Sequence, residues 1–561
     1  MSTFILHFGS LIIFVLLQFS CAQQPSTYYI DAVSGKDGNS GNTPQEAWQS
    51  IARVNRAIFR PGDKILFKTG CKWRETLTIS HSGTSQNPII YDAYGAEQKP
   101  VITAVDLLVG TDGNYWMSHN DSIWYLQKTA DPKRLWLNGK EYPRSLDIKH
   151  INQHFRWYYE ENTQRLYLFN WNKPENSTMK IEIATGRDMA VVARNADYIT
   201  IRNIALEGGS LFSLHINYCD YVVIENCEVG KYSGKYGFFA SHSSQGILRD
   251  CQVDSWHRIK YTYDYAAVED GIKLYNGCSG WEIYRNEVKD WGHSCIQIQS
   301  KDRQNPTSNN RIYSNILSAK NVAYCRGFEL AGPEESCQNN EIFRNIIAYT
   351  SVRNQLGGDH NLIHHNIFHN LSNVTYRNDG TAQVASFSNH EENACHDISF
   401  YHNVLVNSDE PAIRIVNHIG GNIYNIFIKN NIVYNCGRNS REDLTGVGLF
   451  IGKEGNIRQI SIQYNDFFLP DGKMRIYYRG MLKKLSELIE MDLKNENNIS
   501  KNIEADPLFI SIENQNFKLM PESPCISLGI PVGIENDFLG NPIPSEGPAN
   551  IGAFQSFEND H

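Results

Sequence analysis

The segment EIYRNEV, Glu282 to Val288, is short: a few strand-like residues, then Asn286, then apolar Val288. Close variants recur as ITIRNIAL, VVIENCEV, ILRDCQV, RIYSNIL, EIFRNII, LIHHNIF, SFYHNVL, FIKNNIV and SIQYNDF. Their polar residues are Asn203, Asn226, Asp250, Asn286, Asn315, Asn345, Asn366, Asn403, Asn431 and Asn465, spaced 21 to 37 residues apart. Alternating strand residues followed by a fixed turn residue indicate stacked coils, with insertions absorbed in the loops. An Asn at the same corner of every coil can bond its side-chain amide to the next, and Asn also tolerates left-handed backbone. The expected fold is therefore all-β, a parallel solenoid.

A second strand follows each corner: FSLHIN, YGFFAS, DGIKLYN, SCIQIQS, RGFELAG, QVASFSN, AIRIVNH and VGLFIG. In DGIKLYN, Ile272 and Leu274 share one face while Lys273 and Tyr275 share the other. The apolar pair must face the core, so Lys273 faces out. The same reasoning aligns His215, Phe239, Gln297, Glu329, Ser386 and Arg414 with Lys273 in one polar stripe.

The 561 residues are 41% hydrophobic and 20% charged, the balance of a folded chain with a large core. Net charge is -9 and no basic run occurs, so nucleic acid is not an expected partner. An apolar run from Leu11 to Leu17, followed by Ser20 and Ala22, reads as an export signal over 1–22, although it lacks a basic n-region. Cleavage after Ala22 would give a periplasmic or secreted protein; lipidation of Cys21 would instead anchor it. No later segment is long and apolar enough to span a membrane. Beyond Cys21, eleven cysteines without a CxxC pair read as core residues.

Residues 23–109 read as the N-terminal cap and first coils. TPQEAWQSIARVNRAIF has helical spacing, with Thr43 as N-cap and Pro44 in the first turn, and would close the end of the solenoid. Residues 110–185 break the repeat and read as an inserted β-rich subdomain, with hairpins at KRLWLNGKEYP and QRLYLFNW. The central β-helix spans 186–470. The remainder, 471–561, holds an amphipathic helix at LKKLSELIEMDL and the C-terminal coils.

Taken together, the Asn corners, the opening YYIDAVSGKDGNSGNTPQEAWQSIARVN with RPGDKILFKTGCKWRETLTI, and the close DPLF, FKLMPESPCISLG, DFLGNP and NIGAFQ resemble the secreted pectate-lyase-like proteins, which implies an all-β fold, a right-handed parallel β-helix. The style is that of carbohydrate-active proteins of Bacteroidota, which include polysaccharide lyases and ulvan-oligosaccharide dehydratases. The resemblance implies an acidic poly- or oligosaccharide partner and β-elimination at a uronate, by chain cleavage or by loss of water. A monomer is expected. It also admits calcium, for which Asp31, Asp37 and Asn39 in DAVSGKDGNSGN, or Glu269 and Asp270, could supply oxygens. HEENACHD, His390 to Asp397, could be a transition-metal cluster or an exposed turn, and the composition favours the turn.

Elimination needs a base for the C5 proton, a cation for the adjacent carboxylate and an acid for the leaving group. Lys273 is the first choice as base, although the neighbouring Glu269 and Asp270 would favour a charged clamp. Arg326 and Arg414 suit a carboxylate. His293 could be acid or base, and Tyr275 could be the acid. His215, Asp270, Gln297, Glu329, Arg414 and Trp291 are the expected substrate-binding groups, with Tyr261, Tyr263, Tyr265 and Trp256 as further aromatic candidates. Two alternatives remain open. One is glycoside hydrolysis by paired carboxylates such as Asp270 and Glu329, which needs about 5–9.5 Å between them. The other is glycan binding without catalysis.

Overall fold

The computed structural model describes residues 24–555 apart from 109–115, 129, 155, 175–178, 257–268, 323, 373–383, 390–392, 419–420, 441–443, 454, 473 and 489–496. The expected export signal over 1–22, with Cys21, and Tyr261, Tyr263, Tyr265 and His390 lie outside the described residues. The chain forms a right-handed parallel β-helix built from three long sheets of 17, 13 and 12 strands. A continuous apolar core runs through the coils, from Ile30 and Ile51 at one end to Ile476 and Leu488 at the other.

The Asn ladder is continuous from Asn286 through Asn315, Asn345, Asn366, Asn403, Asn431 and Asn465, all buried, to the half-buried Asn502. At each step both the backbone N–H and the side-chain amide donate to the next side-chain oxygen; Asn315 does so to Asn345 at 3.0 Å. The first three coils differ. Asn203, Asn226 and Asp250 themselves occupy the left-handed conformation. Strand register then puts Cys227 and Cys251 at the inward position, and Cys251 N–H donates to the Asn286 side chain. In the later coils the preceding residue, such as Arg285 or Ser314, takes the left-handed turn. The shared Asn thus marks two different corner positions, one residue apart.

Two small antiparallel sheets lie between Asp106 and Ile183, with their own core around Trp116, Trp157 and Leu168. Instead of the one expected N-terminal helix, a 3-10 turn, Pro44–Glu46, precedes a five-residue α-helix, Ile51–Asn55. The break has a cause: Trp48 bridges to Ile30, and Asp37 accepts from the N–H groups of Gln49 and Ser50. Thr43 caps the first turn and Ser50 the second. At the other end, LKKLSELIEMDL begins as a strand, Met481–Lys484, paired antiparallel with Arg475–Tyr478; a single helical turn, Leu485–Leu488, follows. All eleven described cysteines are free and buried.

Candidate functional site

The 13-stranded sheet carries the site. Its strands are β1 (Leu77–Ile79), β2 (Met189–Arg194), β3 (Phe212–Asn217), β4 (Tyr236–Ser241), β5 (Asp270–Tyr275), β6 (Ser294–Gln299) and β7 (Arg326–Ala331). They continue as β8 (Gln355–Leu356), β9 (Ala385–Ser388), β10 (Ile413–Val416), β11 (Val447–Ile451), β12 (Arg475–Tyr478) and β13 (Met481–Lys484). Register aligns His215, Phe239, Lys273, Gln297, Glu329, Gln355, Ser386 and Arg414 in one row. Gln355, absent from the sequence-derived stripe, lies between Glu329 and Ser386.

A second outward row begins three residues earlier, at Asp270, Ser294 and Arg326. Simple alternation from Ile272, Ile296 and Phe328 would send these side chains into the core. The strands avoid this by facing two successive residues inward. A Cβ on Gly271 would strike Val288 and Trp291, and one on Gly327 would strike Ile347. Cys295, the third member of that set, is fully buried. With Gly271 and Ile272 both inward, Asp270 regains the outer face and reaches Lys273, whose Nζ lies 3.6 Å from Oδ2. Arg326 likewise reaches Glu329 at 3.1 Å.

His293, just before β6, joins the two rows. Its Nδ1 lies 2.8 Å from Asp270 Oδ1. Its Nε2 faces Arg326 and lies 3.3 Å from Glu329 Oε2. A guanidinium can only donate, so Nε2 presents its lone pair and Nδ1–H is donated to Asp270. Asp270 is wholly buried. Burial pushes its pKa up, but His293, Lys273 and Arg326 outweigh that and hold it below the ordinary carboxylate range. Burial alone would lower the Arg326 pKa; Glu329, Tyr324 and Asp270 raise it overall. Ser294 Oγ also donates to Glu329 at 3.3 Å.

Lys273 is 7% exposed, less open than a surface stripe implies. Its ammonium lies 5.3 Å from the ring centres of both Tyr236 and Tyr275. Tyr236 was not legible as a site residue; its hydroxyl donates to Glu269, which also pairs with Lys235 at 2.7 Å. Tyr324, the other aromatic missed, accepts from Arg326 at 3.3 Å. Each lies beside a strand start, where residue type alone gives no signal.

Gln297 sits between Lys273 and Glu329, with a buried Oε1 that has no hydrogen-bond partner among the described residues. The remaining candidates are not brought to this cluster. Arg414 is three strands beyond Glu329, over the Phe450 ring. His215 packs on Phe212 and Phe239, and burial, with Arg194 adding, lowers its pKa to about 4. Trp291, expected at the glycan face, is instead fully buried, with its indole N–H donated to Val253 and its ring against Gly230, Gly237 and Gly271. Trp256 remains 38% exposed, beneath Lys231.

The oxygens read as calcium ligands have other partners. Asp31 accepts from Val33, Ser34 and Lys68; Asp37 accepts from Gln49 and Ser50; and the Asn39 amide donates to Ala47. Glu269 is held by Tyr236 and Lys235, and Asp270 by His293. Among the described residues no group of three His, Cys, Asp or Glu side chains is arranged to hold a metal ion. His396 pairs with Asp397 within the HEENACHD segment. No described helix is long and apolar enough to cross a membrane.

Comparison with known proteins agrees with the fold. The family described as right handed beta helix region matches residues 189–368. The solved structure of XylC with xylose superposes with a TM-score of 0.51 at 12% identity, covering 95% of this chain and 98% of that one. Among curated proteins, a lacto-N-biosidase of Bifidobacterium longum is 33% identical over 97 residues, 16% of this chain. An alpha-1,3-galactosidase A of Akkermansia muciniphila is 36% identical over 62 residues, 11% of this chain. Those matched segments span only 6% and 10% of the two relatives.

Proposed function

We propose that this protein is a carbohydrate-active enzyme that performs β-elimination at a uronate of an acidic poly- or oligosaccharide. The observation that carries the reading is the Asp270–His293 pair flanked by two cations, Lys273 and Arg326. In this reading the substrate carboxylate takes over the guanidinium of Arg326, which frees the lone pair on His293 Nε2. That nitrogen removes the C5 proton, the C–H electrons form the C4–C5 double bond, and the C4–O bond breaks. Tyr275, next to the Lys273 ammonium, returns a proton to the departing oxygen. A sugar leaving group gives chain cleavage; a hydroxyl gives water.

In this reading His293 suits the base better than Lys273 does. An ammonium held against Asp270 suits neutralisation of developing charge. The carboxylates are poor candidates for the acid of a hydrolase: Asp270 is buried and ionised, and Glu329 accepts from Arg326.

A second reading, hydrolysis of a glycosidic bond, is favoured by the two curated relatives, both glycosidases by name. Incubation with uronate-containing glycans and with neutral oligosaccharides separates the two. Appearance of the ultraviolet absorbance of an unsaturated uronate supports elimination. New reducing ends without that absorbance would overturn it in favour of hydrolysis.

A further inference from the structure

A concavity lies at the other end of the same strands. Its walls are Arg303, Glu334, Asn389, Asn393, His396 and Tyr424, and it encloses about 230 Å³. Glu334 follows the end of β7, whose first residue, Arg326, belongs to the His293 site. The five steps of β7 alone separate the two places by roughly 16 Å.

Nothing in the reaction proposed above uses these residues, yet their polar groups converge. His396 is buried, with 8% of its side chain exposed, and Nδ1 lies 2.7 Å from Asp397. Asp397 also takes the Asn425 amide, and both bonds hold its carboxylate against burial at a lowered pKa. His396 Nδ1–H therefore donates to Asp397, and Nε2 is left as an acceptor with no hydrogen-bond partner among the described residues. His396 lines the cavity, and its Nε2 lies 3.8 Å from Glu334 Oε1. Glu334 adds acceptors, Arg303 adds donors 3.4 Å from it, and Asn393 contributes an amide, while the buried Asn389 amide is committed to Asn417 and His418. The Tyr424 ring, stacked on His396 at 4.6 Å, supplies an apolar wall.

We infer that this cavity binds one neutral sugar ring. Adjacent acceptors and donors suit vicinal hydroxyls, each of which both donates and accepts. The volume is below the roughly 300–1,000 Å³ of sites for drug-sized ligands, which fits a single ring and not a chain. Glu334, Asp359 and Asp397 outnumber the cations Arg303 and Arg458, the latter over the Tyr424 ring, and disfavour an anionic uronate. The site is a glycan contact separate from the reacting centre, and it stands whether or not elimination occurs there.

Saturation-transfer NMR with a panel of neutral methyl hexosides and with methyl glucuronide tests this. A neutral hexoside should give transfer with the native protein and with His293→Ala, and methyl glucuronide, held through Arg326, should give transfer that substitutions in this cavity leave unchanged. Glu334→Gln, a change at an exposed side chain, and His396→Phe, which keeps the stack on Tyr424, should each weaken hexoside binding about tenfold. No transfer from any neutral hexoside, or transfer unaffected by both substitutions, overturns the site. Loss of transfer in His293→Ala would place the sugar at the reacting centre and also overturn it. Failure of the elimination assay leaves these results unaltered.

Discussion

Asp270 Oδ1 lies 2.8 Å from His293 Nδ1, although strand alternation from Ile272 assigns Asp270 to the core. The contact exists because Gly271 takes the inward place against Trp291 and Val288. An ionised, buried carboxylate thereby fixes the tautomer of a partly exposed imidazole.

Replacing either member should therefore impair turnover. His293→Ala is expected to lower kcat by about 10²-fold or more, the usual contribution of a positioned base. Asp270→Asn should lower kcat with little change in KM, because it perturbs the imidazole and not a substrate contact. Steady-state kinetics on a glycan that gives the unsaturated product measure both, and a normal kcat in His293→Ala would remove it as base.

Arg326 and Lys273 separate by chemistry. Arg326→Lys keeps the charge but loses the planar fork that binds a carboxylate in two places, so KM should rise and kcat/KM fall by about tenfold or more. Lys273→Ala should lower kcat more than it changes KM if the ammonium acts on charge developing in the transition state. Equal, small effects of both substitutions would argue against a shared carboxylate site.

Trp291 is predicted to matter for folding and not for substrate. Trp291→Ala should destabilise by about 3–5 kcal/mol, the usual cost of deleting a buried aromatic. Trp291→Phe should leave KM unchanged. Denaturant titration together with KM on the Phe variant checks the assignment.

The ladder predicts a contrast between two asparagines. Asn345→Ala strips an acceptor from the buried N–H and amide of Asn315, and should cost on the order of 2–4 kcal/mol. Asn226 is exposed and left-handed, so Asn226→Gly should stay within about 0.5 kcal/mol of the parent. Melting of the two variants side by side measures the difference.

Acid should weaken the fold through buried imidazoles. Burial lowers the pKa values of His369 and His402 to about 4. His402 is neutral between the Gly552 carbonyl and the Asn430 amide. Above the unfolded value of about 6.5 these groups are neutral in both states. Between about 6.5 and 4 only the unfolded chain gains the proton, so stability falls as pH falls through that window. From pH 7 to 5 the loss should be on the order of 2 kcal/mol per histidine, and His402→Gln should flatten the dependence by one proton's worth. Denaturant midpoints at several pH values report the slope.

Much of the architecture was open to reading from the chain. Strand alternation placed Ile272 and Leu274 inside, and the same parity aligned Lys273 with Gln297, Glu329 and Arg414. Repeated asparagines marked the corners, but they could not reveal that Asn226 and Asn286 occupy neighbouring, inequivalent places. That distinction rests on which residue adopts the left-handed turn, and Asn accepts either role. Trp291 was misplaced for a related reason: an aromatic near a polar stripe reads the same from either side of the sheet. Only the three glycines facing its ring show that it fills the core.

By itself the sequence determined the coil, the sheet bearing the polar row and the side on which Lys273 emerges, because a two-residue period and a recurring corner are local properties. Tertiary structure decided which charges meet. Asp270, His293, Arg326 and Glu329 converge because two successive inward residues reset the parity of each strand where glycine or cysteine meets the core, a packing event that no local pattern encodes.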